Sequence, residues 1–344
     1  MEWFTEVNNL NIKEEAKKEI LKVFQTYDQV GIAFSGGKDS TVLLDLVLKI
    51  LREKKEKELF VIHNDTLVEN PIVRTHCDVV LQDVEDYAKR NNLKVKVFIA
   101  KPEVKNTFWV NLIGKGYPLP NHNFRWCQDK LKIKPSSKLI KSLGVKALFV
   151  GLRSDESIQR MLRAKQFHDY TLMQNGILRV APLLNWTTID VFEYLLNEEE
   201  GFTDFKKVYK LYKDANGECP ILFDPKLSNV PKKGCGARFG CWVCSLVKED
   251  KSTKNLLSHY SWLEPYFRFR EWMISFCEKT ENRTGRRRNG KILGEGRGQL
   301  TLKAREEILK KLKNLEREVG KELLSNEEFL FITNSWGEEL KRKT

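Results

Sequence analysis

The chain has 344 residues, 41% hydrophobic and 31% charged, with 20 Gly and 10 Pro, so it is longer than one typical domain and is composed like a soluble globular protein, not a fibrous or wholly disordered one. Its net charge of +13 is uneven: residues 219–344 hold 26 Lys and Arg against 17 Asp and Glu, or +9, leaving +4 for the first 218, a bias that suits a polyanionic partner without requiring one. No apolar leader opens the sequence and no apolar stretch approaches the ~18 residues of a membrane span, so a cytoplasmic protein without a membrane partner is expected, whose seven cysteines imply metal or cluster ligation over disulfides.

In chain order, residues 13–26 read as a helix, 29–34 as a buried strand and 41–48 as a helix, with a glycine turn between the last two. A strand at 59–63 leads into the polar turn Asn64-Asp65-Thr66, followed by a helix at 73–90 and a strand at 94–99. Further strands are predicted at 146–151 and 177–180, and Thr187-Thr188-Ile189-Asp190 supplies capping groups for the helix that follows. This alternation predicts an α/β fold, a doubly wound parallel sheet whose ligands sit beyond the carboxyl ends of the strands, where the first glycine turn falls. Near Gly201 the pattern changes. The predicted division is therefore a nucleotide domain at 1–200, a small Cys-rich region at 201–260 and a helical, basic region at 261–344, with helices at 261–278 and 302–319.

Ser35-Gly36-Gly37-Lys38-Asp39-Ser40 places two glycines between a strand and a helix N-terminus, so backbone N–H groups can approach an anion with no Cβ in the way. Lys38 adds a full charge, and Ser35, Ser40 and Thr41 add hydroxyl donors. A Walker A loop has four residues between its glycines, so ordinary γ-phosphate hydrolysis does not fit this spacing. The plain alternative is a strand-to-helix turn that uses glycine for geometry alone.

The Ser-Gly-Gly-x-Asp-Ser pattern resembles the PP-loop of the adenylating ATP pyrophosphatases, a group that includes sulfonucleotide reductases and several sulfurtransferases. That resemblance implies cleavage of ATP between the α and β phosphates, with Lys38, Asp39, Ser40 and Arg153 as catalytic residues and Asp39 helping to hold Mg²⁺. ATP would be bound by Ser35, Gly36, Gly37, Lys38, Asp39, Ser40 and Thr41, together with Asp65, Thr66, Gly151 and Arg153. Longer segments resemble the DndC-type proteins of DNA phosphorothioation: Asp65-Thr66-Leu67-Val68-Glu69-Asn70-Pro71, the stretch 125–135 from Arg125-Trp126-Cys127 to Pro135, and Gly151-Leu152-Arg153-Ser154-Asp155 with Arg160. Gln128 departs from that pattern, standing where a small hydroxyl residue is expected. The implied function is adenylation of a DNA backbone phosphate and replacement of a non-bridging oxygen by sulfur. A cysteine desulfurase as sulfur donor and other phosphorothioation subunits are the implied partners. Read from chemistry alone, Arg153 and Arg160 suit bidentate phosphate clamps, Lys130 and Lys132 suit point-charge contacts, and Asp65 suits a ribose or amino group; an exposed ion pair is the plain alternative for each.

Cys219, Cys235, Cys241 and Cys244 have the spacing C-x15-C-x5-C-x2-C within a glycine-rich stretch. Four thiolates complete either a tetrahedral Zn²⁺ site or a [4Fe-4S] cluster, and softness suits both. Only one short C-x2-C hook is present, with Trp242 as an apolar shield, which favours a cluster, and the resemblance to DndC-type proteins implies iron-sulfur. Cys127 lies apart in sequence as a candidate sulfur-carrying thiol, with a small buried hydrophobe as its plain alternative, while Cys77 and Cys277 read as packing residues. His63, His76, His122, His168 and His259 show no ligand spacing and receive no role.

Residues 279–297 carry seven basic side chains against two acidic ones, or +5, among several glycines. A flexible loop following a phosphate backbone is expected there, with Arg283, Arg286, Arg287, Arg288 and Lys291 as DNA contacts; a solvated loop that binds nothing is the alternative. Three rival functions share the pattern. A sulfonucleotide reductase usually presents a catalytic cysteine near its C-terminus, yet no cysteine follows Cys277. A tRNA thiolation enzyme would use the same ATP chemistry on a base. A non-catalytic nucleic-acid-binding subunit could retain the fold.

Overall fold

Val30 and Ile32 are fully buried, and in the computed structural model, which describes residues 2–155, 158–216 and 239–341, their strand Gln29–Phe34 (β1) lies mid-sheet with both faces covered. Its flanking strands are Glu58–Asn64 (β2) and Ala147–Val150 (β4); Lys94–Ala100 (β3), Thr171–Gln174 (β5) and Ile177–Val180 (β6) complete six strands in the order β3-β2-β1-β4-β6-β5. β1 pairs in parallel with β2, Gln29 opposite Glu58, and with β4, Ile32 opposite Phe149; β4 and β6 are also parallel. The α/β expectation therefore holds, with one addition. β5 runs antiparallel to β6 through the two-residue turn Asn175-Gly176, whose φ angles of 52° and 74° match the twist of a tight hairpin.

Helices Glu2–Thr26 (α1), Lys38–Glu53 (α2) and Pro71–Asn91 (α3) cover the sheet, α1 starting earlier than its periodicity predicts. Leu43, Leu44 and Val47 of α2 are fully buried, and Phe24 of α1 meets Phe149 edge to face at 5.9 Å. Deep in α2, buried Asp45 accepts from Tyr194 Oη at 2.5 Å and from the Phe202 amide at 3.2 Å, tying α2 to helix Thr188–Asn197. That helix opens on the predicted box: Asp190 N donates to Thr187 Oγ1, and Thr187 N donates back to Asp190 Oδ2 at 2.6 Å.

Two compact units emerge, and they interleave along the chain. The first comprises Met1–Asn64, Ile72–Ile99 and Lys138–Phe239, the second Asp65–Pro71, Ala100–Ser137 and Gly240–Thr344. Compactness thus does not follow the consecutive stretches 1–200, 201–260 and 261–344. In the second unit, Trp109, Trp242 and Phe269 form an aromatic core with ring centroids 5.7–6.1 Å apart. Helix Leu302–Val319 begins at Thr301, whose hydroxyl accepts from Ala304 N, and ends at Gly320 with φ 62°. Among the described residues no helix is long and apolar enough to cross a membrane.

Candidate functional site

The glycine turn follows β1 and opens α2. Gly36 has φ +73°, and a Cβ there would lie 2.1 Å from Cys77 Sγ, so only glycine fits. Cys77 is the packing residue expected, filling the space beneath the turn. Gly37 is the N-cap of α2 and offers no side chain to the helix amides, leaving that end suited to an anion. The hydroxyls brace the bend: Ser40 Oγ donates to Gly37 O at 2.9 Å and lies 3.0 Å from Ser35 Oγ, while Thr41 Oγ1 donates to Gly37 O at 3.0 Å.

Behind the turn lies a buried charged set. Lys38 Nζ is 2.8 Å from Asp39 Oδ2, and Arg153 Nε is 2.6 Å from Asp39 Oδ1. Burial pushes the Asp39 carboxyl up, but the charges of Lys38 and Arg153 outweigh burial and hold it below the usual carboxylate range. Arg153, fully buried, also donates to Trp186 O and Thr188 Oγ1, each at 3.1 Å. Gly151 packs its backbone on the first turn of α2, where a Cβ would come 3.2 Å from Ser40 N. Lys38, Asp39, Ser40, Gly151 and Arg153, named from separate sequence segments, thus meet in one place. Both Asp39 oxygens already face cations, so Asp39 as arranged is not presented to Mg²⁺; a divalent ion would require Lys38 to leave Oδ2 first. The arrangement does not fit the Mg²⁺ role that resemblance gave Asp39, and no step is derived through that ion.

Two residues of this site went unrecognised in the sequence. Tyr212 Oη accepts from Lys38 N at 3.2 Å, and its ring lies 5.5 Å from the Lys38 ammonium. Only the amphipathic spacing of helix Phe205–Asn216 hinted at it. His76 shares a hydrogen bond with the Gly36 backbone, and burial, stronger than that bond, holds its imidazole below the ordinary value. Its Nε2 is buried with no hydrogen-bond partner.

Asp65 and Thr66 belong to the second unit. Asp65 Oδ1 accepts from Leu67 N at 2.8 Å, its backbone N–H donates to Ala100 O, and Lys101 stands 3.7 Å from Oδ2. Thr66 is fully buried, 3.5 Å from Cys241 Sγ.

The Cys241-Cys244 hook is pinned beside these residues: Trp242 N donates to Val68 O, Asn70 N to Gly240 O, and Cys244 N to Cys241 O. Buried Arg270 ties down the exit, donating to Cys244 O at 2.9 Å and Val247 O at 2.8 Å. Cys127, distant in sequence, is brought to this hook: its thiol is pushed up to about 11 by burial and then by Cys241 and Cys244. Burial likewise pushes the Cys241 thiol up. These three partly buried thiols, with the Thr66 hydroxyl and the charges of Lys132 and Glu69 around Cys241, supply soft donors of the kind that bind iron-sulfur or zinc. Among the described residues no three His, Cys, Asp or Glu side chains are poised to hold a metal ion, and Cys219 and Cys235 lie outside the described residues, as does the Arg160 side chain. Cys277 is buried, as expected of a packing residue.

The basic segment is not the flexible loop expected. Thr284 N bonds Gln299 O, Leu293 N bonds Gly285 O and Gln299 N bonds Arg286 O, and Gly298 at φ +85° passes so close to Arg286 that a Cβ would meet its carbonyl oxygen at 2.1 Å. Glycines here specify a folded lobe. Arg286, Arg287, Arg288 and Lys291 are exposed on it, whereas Arg283 is half-buried and donates to Cys277 O. Burial lowers the Arg283 pKa, and its Nε has no hydrogen-bond partner.

The phosphoadenosine phosphosulfate reductase domain matches residues 29–246. An uncharacterised protein of Methanocaldococcus jannaschii is 29% identical over 227 residues, covering 65% of this chain and 40% of its own. A phosphoadenosine 5'-phosphosulfate reductase of Buchnera aphidicola is 26% identical over 161 residues, covering 47% and 58%. The chain thus spans about two fifths of the first curated relatives it matches. Among solved structures, the U34-tRNA thiolase NcsA of Methanococcus maripaludis with its [4Fe-4S] cluster aligns with a TM-score of 0.39 at 11% identity, covering 76% of this chain and 77% of its own. A phosphoadenylyl-sulfate reductase of Candida auris aligns with a TM-score of 0.37 at 20% identity, covering 53% and 78%. At such scores these alignments add nothing to the fold described above.

Proposed function

Because the chain belongs to the phosphoadenosine phosphosulfate reductase domain family, we propose that its glycine turn binds ATP and that the chain splits it between the α and β phosphates to activate DNA for phosphorothioation. The observation that carries this reading is the turn itself: left-handed Gly36, the Gly37 N-cap of α2 with no side chain of its own, and the buried Lys38–Asp39–Arg153 set directly behind it. The β and γ phosphates would accept from the α2 amides and the Ser35 hydroxyl, while the Ser40 and Thr41 hydroxyls, which donate to Gly37 O, hold the bend in shape. Lys38, drawn from Asp39 to the incoming phosphates, would withdraw charge from the leaving pyrophosphate. Arg153 is a positioning residue in this scheme: its bonds to Trp186 O and Thr188 Oγ1 hold the guanidinium that keeps Asp39 ionised.

A non-bridging oxygen of a DNA phosphodiester would attack the α phosphorus, forming a P–O–P link as the α–β bond breaks and pyrophosphate leaves. A cysteine desulfurase would supply persulfide sulfur, which a thiol pair, itself oxidised to a disulfide, would reduce to sulfide; the sulfide would then form the P–S bond while AMP departs with that oxygen. Other phosphorothioation subunits would select the DNA site. Cys241 and Cys244, with Cys235 and Cys219, are the proposed ligands of a [4Fe-4S] cluster, and the proximity of Cys127 to the hook makes it a further candidate donor or the sulfur-receiving thiol. When bound, such a cluster would supply electron-transfer chemistry.

The test is product analysis with γ-labelled ATP, Mg²⁺ and duplex DNA. Labelled pyrophosphate is expected, with AMP released once sulfide is added; labelled orthophosphate alone sinks the proposal. The curated Buchnera reductase favours one second reading, reduction of a sulfonucleotide. Sulfite release from phosphoadenosine phosphosulfate with a dithiol reductant, and no pyrophosphate from ATP, would establish it instead.

A further inference from the structure

Lys115, Lys130 and Arg288 come from three separate stretches of the second unit, yet they share one electrostatic neighbourhood. The Lys115 ammonium is lowered to about 8, first by burial and then by the positive charges of Lys130, Arg288 and Lys105. Among the described residues no carboxylate pairs with Lys115, Lys130 or Arg288, and only Lys105 has an acidic partner, Glu103 at 3.1 Å. Lys115 Nζ instead donates to the Lys105 carbonyl and lies 5.7 Å from the Phe331 ring, while Lys130 Nζ donates to Asn106 Oδ1 at 3.2 Å and lies 5.3 Å from the Tyr117 ring.

The backbone beneath is tied down by four hydrogen bonds. Gln299 Nε2 bonds Lys115 O at 3.0 Å, Leu300 N bonds Gly116 O at 2.8 Å, buried Arg305 bonds Gly114 O at 2.9 Å and Trp336 Nε1 bonds Ile113 O at 2.9 Å. The Gln299 and Leu300 bonds also anchor the base of the basic lobe, whose tip is closed by Arg287 N to Lys291 O at 2.8 Å. Repelling cations held together on a fixed backbone are poised for an anion that repeats its charge. A single small anion would not use Arg286, Arg287 and Lys291, which extend the exposed positive surface along the lobe.

We infer that Lys115, Lys130 and Arg288 form a contact site for consecutive phosphates of a nucleic-acid strand, an inference that rests on the reading of a nucleic acid as substrate. The site reads backbone and not sequence, so duplex DNA, single-stranded DNA and tRNA share the chemistry that it recognises. Fluorescence anisotropy of the full chain against these three labelled probes, across a salt series, tests it. Wild type should bind one or more of the probes, the tightest naming the strand. Lys115→Met, Lys130→Gln and Arg288→Gln combined should weaken that binding at least tenfold and flatten the log affinity against log salt slope by about 2 to 3. Lys115→Met alone should unfold no earlier than wild type, because it removes a repelled charge; earlier unfolding would make Lys115 a structural residue and overturn its role. An unchanged salt slope in the combined variant overturns the site while leaving a nucleic-acid substrate standing. Failure of wild type to bind any of the three probes overturns both, and ATP binding to the full chain, measured by calorimetry without nucleic acid, judges the ATP site separately.

Discussion

Arg153 Nε stands 2.6 Å from Asp39 Oδ1, a contact spanning 114 positions of sequence with the arginine side chain wholly buried. Removing one partner of such a pair strands the other charge in a poorly solvated site. Arg153→Leu should therefore cost about 3 to 5 kcal/mol in urea unfolding, and Asp39→Asn added to it should recover part of that loss. Arg153→Lys keeps the charge yet forfeits the Trp186 and Thr188 bonds, so it should fold better than Arg153→Leu while still losing ATP affinity. Independent, additive losses in the double variant would show that the two side chains do not act as a pair.

The same contact sets an acid limit. Burial raises the Asp39 carboxyl, and Lys38 and Arg153 more than reverse it, so its folded value lies below its unfolded one. Its stabilisation is then complete above the unfolded carboxylate value, roughly pH 4, and is lost as pH falls through the folded value. Urea midpoints recorded downward from pH 6 should fall more steeply for wild type than for Asp39→Asn. Parallel curves would assign the acid limb to other carboxylates.

Gly36→Ala is expected to disable the turn. It places a methyl 2.1 Å from Cys77 Sγ and forces φ +73° on a residue with a side chain, for a cost of about 1 to 3 kcal/mol. Adding Cys77→Ala should relieve the collision but not the backbone strain, restoring some stability and little ATP binding by calorimetry. Full recovery of binding would mean that the left-handed bend is dispensable.

Chain purified without oxygen should carry about four iron and four sulfide per protein if the cluster reading holds. Cys241→Ser and Cys244→Ser should each abolish most of that iron and its visible absorption. Cys127→Ala separates its two candidate roles: loss of iron marks a ligand, whereas retained iron with lost sulfur transfer marks a carrier thiol. Stoichiometric zinc with no iron would overturn the cluster assignment.

Much of the first unit was legible locally. β1, β6 and helix Leu302–Val319 match their predicted bounds, and the Thr187–Asp190 box was readable from type and spacing, because buried periodicity and capping depend on residues within a few positions of one another. The Asn175-Gly176 hairpin was equally local and was passed over in favour of an all-parallel sheet. Helix Asn326–Lys341 falls in the stretch 261–344 that reads as helical but gets no bounds of its own from sequence, because apolar residues on its exposed side blur its periodicity.

By itself the sequence determined an α/β core, the phosphate-type bend at Ser35–Ser40, the short cysteine hook and the excess of positive charge toward the C-terminus, all of which are written in spacing and composition. Only the tertiary structure decided that Arg153 secures Asp39, that Tyr212 and His76 brace the bend, that Cys127 lies within the field of Cys241 and Cys244, and that Lys115, Lys130 and Arg288 share one field. The reason is physical: periodicity reports which face of an element is buried, but not which distant element covers it, and Coulomb interactions depend on separation in space.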